Sequence, residues 1–174
     1  QPLTILDLVV THKANHTLHH IAEVAIYQPY FSIPFAIKKT VIVLFLSELL
    51  SKTLREEGEN EDLYAFLENS FVFFDQKEDS YANFHIQFIL KLTTYLGIGV
   101  ETGETFFKQL DRHEIHARHN QNLIDKLISE NYDNFIPLNQ QSRNLIIQQT
   151  LYFYRLHIDG FGELKSLAVL KTIF

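Results

Sequence analysis

A chain of 174 residues, 46% of them hydrophobic, is long and apolar enough to bury one ordinary core, which excludes a disordered segment. Its formal charge of -6 and pI near 5.8 exclude a phosphate-neutralising surface over the whole chain, because that needs clustered Lys and Arg; a local basic patch stays open. With no Cys, disulfides, thiolate zinc sites and Cys nucleophiles are excluded too. The chain also has no Met, so either it begins inside a longer protein or internal positions are absent from the sequence. No secretory signal or membrane-spanning apolar run is visible, and a soluble intracellular setting is expected.

Residues 3 to 12, LTILDLVVTH, are aliphatic and β-branched without helix caps, the composition of a strand. Lys13 to His16 supply a turn, and Thr17 to Val24 (TLHHIAEV) return as a second strand or, alternatively, open a helix. A lone hairpin is marginal in water, so these strands are expected to belong to a larger sheet. From Tyr27 to Pro34 the run YQPYFSIP carries two prolines and three aromatic rings, which marks a connector and a domain boundary.

Ile33 to Glu57, IPFAIKKTVIVLFLSELLSKTLREE, is the longest helical segment, and its centre, Val41 to Leu46, is apolar on every side. Such a helix is buried, so the rest of the chain is expected to pack around it. Ser32 is the expected N-cap, Pro34 fits a first turn, and Gly58 is the stop. Asn60 to Asp75 follows as an amphipathic helix with an Asn cap, acidic first-turn residues and a stripe of Leu63, Phe66, Leu67, Ser70, Phe71 and Phe74. Ser80 to Leu96 is a third helix, with Phe84, Phe88, Leu92 and Leu96 on one line and Gly97 ending it. Short connections predict antiparallel neighbours. Periodicity is lost from Gly97 to Gly103, although Phe106, Phe107 and Leu110 are candidates to dock on the core. A short helix is expected from Asn122 to Asn131 and a longer one from Asn139 to His157. After the break Asp159-Gly160-Phe161-Gly162, a final helix from Glu163 to Phe174 aligns Leu164, Leu167, Leu170 and Ile173.

Candidate chemistry is sparse. Histidines cluster as His12, His16, His19 and His20 and again as His113, His116 and His119, but neither set has the spacing of a shared metal site. The ends of HEIHARH lie about 120° apart around a helix, and strand alternation sends His19 and His20 to opposite faces. A helical metal-dependent enzyme using these histidines is the alternative reading. The glycines of Gly97-Ile98-Gly99-Val100-Glu101-Thr102-Gly103-Glu104 suit a mobile connector; a phosphate loop needs a preceding strand and a following Lys, and here there is a helix and Glu104. Glu48 is the one acid whose setting inside an apolar helix points to a perturbed pKa, as a satisfied structural group. Lys38 and Lys52 fall within about 40° of each other around the central helix, flanked by Lys39 and Arg55, while Arg143 and Arg155 lie on the late helix. A basic rim of this kind around an apolar groove suits an acidic peptide that ends in a hydrophobic residue.

The blocks QPLTILDLVV, KKTVIVLFLSELLSKTLREEGENEDLYAFLENSF, NFHIQFILKLTTYLG and LYFYRLHIDGFGELKSLAVLKTIF together resemble the RecO family of bacterial DNA repair proteins, over most of the chain. The resemblance implies a mainly α fold: a multi-helix C-terminal domain (33–174) behind the last strands (1–26) of an incomplete N-terminal OB-fold β-barrel, with 27–32 as connector. It implies a recombination mediator of the RecF pathway, not an enzyme, that binds single- and double-stranded DNA, mainly through the barrel, and anneals complementary strands. The implied partners are RecR, the acidic C-terminal tail of single-stranded DNA-binding protein and, indirectly, RecA, in a cytoplasmic, nucleoid-associated setting. Lys38, Lys39, Lys52, Arg55, Arg143 and Arg155 are then the expected contacts of that tail. Some relatives hold a four-Cys zinc site; with no Cys here, neither zinc nor another cofactor is expected. The block from Gly97 to Asn120 departs from the family pattern. A purely structural protein-interaction module is a further alternative.

Overall fold

The computed structural model describes residues 1–12, 18–54, 58–110 and 117–174, the first four of the last segment by backbone alone. Two strands, β1 (Ile5–Thr11) and β2 (His20–Gln28), pair antiparallel, with register shifts at Ile5/Leu6 and Val9/Val10. β2 runs beyond the expected Val24 and into the expected connector, because Val24, Ile26 and Tyr27 keep a strand-forming composition until Pro29 removes a backbone donor. Both faces of the ribbon expose large apolar side chains, Leu8, Val24 and Ile26 on one and Val9 and Tyr27 on the other. The expected turn at Lys13 to His16 lies outside the described residues.

Among the described residues seven helices follow: α1 (Ile37–Thr53), α2 (Glu61–Gln76), α3 (Phe84–Tyr95), α4 (Gly103–Gln109), α5 (Ala117–Ser129), α6 (Gln140–His157) and α7 (Ser166–Ile173). The chain is therefore mainly helical, as expected. Asn60 and Asn139 cap α2 and α6 by accepting from the backbone N–H groups of Leu63 and Ser142, each satisfying a donor that a helix start leaves orphaned.

Three expectations are corrected. First, α1 starts at Ile37, not Ile33: Ser32 to Phe35 form a turn, and Ala36 at the cap position supplies no side-chain bond. Ser32 is drawn instead to Asp75, as described below. Second, α1 is not the element around which everything packs. That place belongs to α3, where nine of twelve residues are buried and the neighbours are α1, α2, α5 and α6. Leu44, in the middle of the apolar run of α1, is 45% exposed. Third, the stretch from Gly97 is not a slack connector. Val100 is buried and donates its N–H to Thr93 Oγ1. Thr102 then starts α4 with a capping box closed by Thr105. Gly103 is there because a Cβ would collide with the backbone of Gln121, and its N–H bonds the Asp125 carboxylate at 2.7 Å. Phe106, Phe107 and Leu110 are buried as expected.

The core is a run of rings between α2 and α3. Phe74 stacks on Phe84 at 4.2 Å, and Phe88 meets Phe66 and Phe71, each at 5.2 Å. Burying one such ring contributes about 2–3 kcal/mol. From the other side α6 presents Tyr154, fully buried, whose hydroxyl donates to the Ile89 carbonyl in the middle of α3 at 2.7 Å. α7 begins at Ser166, three residues later than expected, and packs along α1. Its first turn is capped from α1: Glu48 accepts from the N–H groups of Lys165 and Ser166 and from the Ser166 hydroxyl. Burial alone raises the Glu48 pKa, but these bonds outweigh it and hold the group below its ordinary value. The structural role expected for Glu48 is thereby accounted for.

Candidate functional site

The basic residues singled out in the sequence do not converge. Lys39 is 2% exposed, and its ammonium donates to Ser32 Oγ (2.6 Å) and to the carbonyls of Phe74 (2.8 Å) and Asp75 (2.9 Å). It is an internal group and leaves the rim. Lys38 is exposed at the start of α1, about 21 Å along the helix from Lys52 by the rise per residue. Lys52 reaches the Glu163 carbonyl and Arg155 the Gly162 carbonyl, so these two gather at the turn that leads into α7. Arg143 is half-buried and spans the carbonyls of Leu138 and Phe174. Arg55 lies outside the described residues. What remains is one exposed cation at one end of α1 and a basic pair at the other.

The histidines do not converge either. His12 and His19 stack at 4.4 Å, and among the described residues no group of three or more His, Asp or Glu could hold a metal. His16, His113 and His116 fall outside the described residues, and His119 is described by backbone alone. No helix among the described residues is long and apolar enough to cross a membrane.

A groove of about 1060 Å³ lies between α2, the C-terminal half of α3 and the end of α5. Phe66, Phe73, Tyr95 and Tyr132 form its aromatic walls, with Asn60, Asn69 and Asn131 as neutral polar groups. Tyr95 stacks on Phe66 at 4.4 Å, and Tyr132 is fixed by rings on two sides, Phe73 and Phe84, and by a hydroxyl contact with Ser70 at 3.1 Å. Burial raises the Tyr132 pKa, so its phenol stays protonated at neutral pH. Lys91 supplies the cation in the wall. It grows from the apolar helix α3, donates to the Ile128 carbonyl at 2.6 Å and lies 5.8 Å from the Tyr132 ring centre. Burial lowers its pKa, opposed by Glu130. An ammonium has three protons to donate, so the Ile128 bond does not exhaust it. At the rim Lys77 pairs with Asp133 at 3.0 Å, and Asp62 adds a negative charge on the α2 side.

Neither Lys91 nor the aromatic walls are among the site residues expected from the sequence. The signal is local: a Lys inside FILKLTTY, on a strongly apolar helix, has to emerge where the helix meets a cavity or an acceptor. The same helix carries His85, fully buried against Phe45 and Phe174. Burial, reinforced by Arg143, lowers its pKa to about 3, and neither ring nitrogen has a hydrogen-bond partner.

The family pattern described as "Recombination protein O C terminal" matches residues 34–105, from the connector to the start of α4. DNA repair protein RecO of Flavobacterium psychrophilum is 37% identical over 186 aligned positions, covering all of this chain and 78% of that protein. Proteins of the same name from Christiangramia forsetii (35% identical) and Flavobacterium johnsoniae (34%) also align with all of this chain and 78% of their own length. No solved structure matches at a significant level. The likeness extends over the full described fold, hairpin and helices together, and the chain belongs to the RecO family of DNA repair proteins.

Proposed function

We propose that this chain acts in DNA repair as a recombination mediator without turnover of a small molecule. In this reading the exposed hairpin is the last part of an OB-fold barrel that binds and anneals DNA, and the helical body receives protein partners. These are RecR and the acidic tail of single-stranded DNA-binding protein, through which RecA loading is assisted. The observation that carries the tail-binding part is the groove beside Lys91. Its aromatic walls accommodate a terminal Phe ring, and an ammonium with protons to spare suits the carboxylate of a chain end. Asp62 repels the acidic residues of such a tail, so they leave the groove on the Lys77 side.

Fluorescence anisotropy with a labelled acidic peptide ending in Pro-Phe, titrated with the full-length protein at low salt, tests this reading. Losing a hydrogen bond to a charged group costs about 1.5–3 kcal/mol, so Lys91→Ala should weaken binding about 10- to 100-fold, and amidating the peptide's C-terminus should mimic it. Asp62→Lys should strengthen binding several-fold. If charge reversal at Lys38 or Lys52 weakens binding and Lys91→Ala does not, the tail docks along α1 and the groove assignment is wrong. Absence of strand annealing by the full-length protein would leave a plain interaction module.

A further inference from the structure

The passage from β2 to α1 lies outside regular structure, yet its backbone is densely hydrogen-bonded. Asp75, near the C-terminal end of α2 and 6% exposed, turns its carboxylate to three successive amides: Phe31 N–H at 2.7 Å, Ser32 N–H at 2.9 Å and Ile33 N–H at 2.8 Å. The Ser32 hydroxyl also bonds the Asp75 carbonyl. Burial alone raises the Asp75 pKa, and the three amides outweigh it, so the group sits below its ordinary value.

Lys39 closes the other half. The last turn of α2 has no basic residue of its own, and Lys39 brings a cation to its free carbonyls from α1, answering both the orphaned acceptors and the negative helix end. The same ammonium holds the Ser32 hydroxyl and lies 5.3 Å and 5.2 Å from the ring centres of Phe74 and Tyr81. Thr40 adds a bond from its hydroxyl to the Ile33 carbonyl. On the strand side, the buried Tyr30 donates its hydroxyl to the Leu3 carbonyl at 2.8 Å. Leu3 and Ile5, at the base of the hairpin, pack against the helical core. Leu3 is held at φ 61, a conformation a branched side chain adopts only when its surroundings dictate it.

Interdomain connectors are commonly hinges. This one is built the opposite way, and we infer that Asp75, Lys39 and Ser32 form a latch that makes residues 29–36 a rigid strut, so that the hairpin and the helical body turn as one unit. A DNA segment on the hairpin side and a protein partner on the helical side would then be held at a fixed mutual angle. Asp75 and Lys39 are positioning residues in this view and touch neither partner.

The test places spin labels on Cys introduced at Glu23 in β2 and Gln148 in α6, both exposed, in the full-length protein, and reads the distance distribution by pulsed EPR. The native protein should give one narrow peak. Asp75→Asn, which keeps the shape and presents an amide to the three N–H donors, and Lys39→Met, which keeps the buried stem, should each broaden the peak at least two-fold. Ser32→Ala, the mildest change, should broaden it less, and it gives the reading if either of the others fails to fold by circular dichroism. Lys108→Met, which breaks only a surface ion pair with Glu104, should leave the width as it is. Unchanged widths in the folded latch variants would overturn the proposal, as would a broad distribution in the native protein.

Discussion

Helices α1 and α3 look like rivals for the centre of this fold, and the difference between them lies in what surrounds them. α1 has the longer apolar run, yet only nine of its seventeen residues are buried and Leu44 faces outward. α3 is shorter and carries the polar His85, Gln87 and Lys91, but seven consecutive residues from Phe84 to Leu90 are buried. A continuous apolar run records how strongly a helix avoids water. How many neighbours enclose it is decided by connections elsewhere in the chain. Here α5 and α6 return to α3, while α1 packs chiefly along α7, with α3 on another side and the end of α2 reached through Lys39.

Emptying each helix of one side chain separates their roles. Phe88→Ala removes a ring that touches Phe66, Phe71 and Phe84 and should cost about 3–5 kcal/mol in urea unfolding. A loss below about 1 kcal/mol would show that α3 is not the packing centre.

The next effect follows from His85. In the unfolded chain it takes up a proton near 6.5, whereas in the fold burial and Arg143 hold it to about 3. Between these values the unfolded state binds the extra proton, so stability falls as pH drops through that window, by up to about 5 kcal/mol. Unfolding series at pH 7, 5.5 and 4.5 should show this slope. His85→Leu should flatten the part it contributes and be close to neutral at pH 7, because both nitrogens lack partners. Asp75 and Glu48, held below their ordinary values, add losses of the same sign at lower pH, which His85→Leu leaves in place.

Leu44→Ala, in α1, should have the smallest effect. At 45% exposure it should cost less than about 1 kcal/mol, measured alongside Phe88→Ala. A cost equal to that of Phe88→Ala would mean that something covers α1 in solution.

Much of the fold is legible in residues whose partners are close by in sequence. Asn60 before Glu61 and Asp62, and Asn139 before a run of helix formers, announce their helices because a cap bonds three residues ahead. The stripes on α2 and α3 are readable for the same reason. What the sequence hides is settled over long separations. Ser32 looks like an N-cap, but Asp75 lies 43 residues away and captures its backbone first. Lys39 reads as a surface Lys until the carbonyls of Phe74 and Asp75, 35 and 36 residues on, are brought to it. The groove beside Lys91 needs α2, α3 and α5 to meet, so no local spacing could announce it.

The phenol of Tyr154 has a consequence for assembly of the bundle. Its hydroxyl is fully enclosed, and its partner is one particular carbonyl, that of Ile89, in the middle of a helix. If α6 slid along α3 by a single turn, about 5.4 Å, the rings and aliphatic groups would still find apolar neighbours, but the hydroxyl would be stranded away from water at a cost of about 1–3 kcal/mol. Hydrophobic contact brings these two helices together at almost any offset; Tyr154 works as an index pin that makes one offset correct.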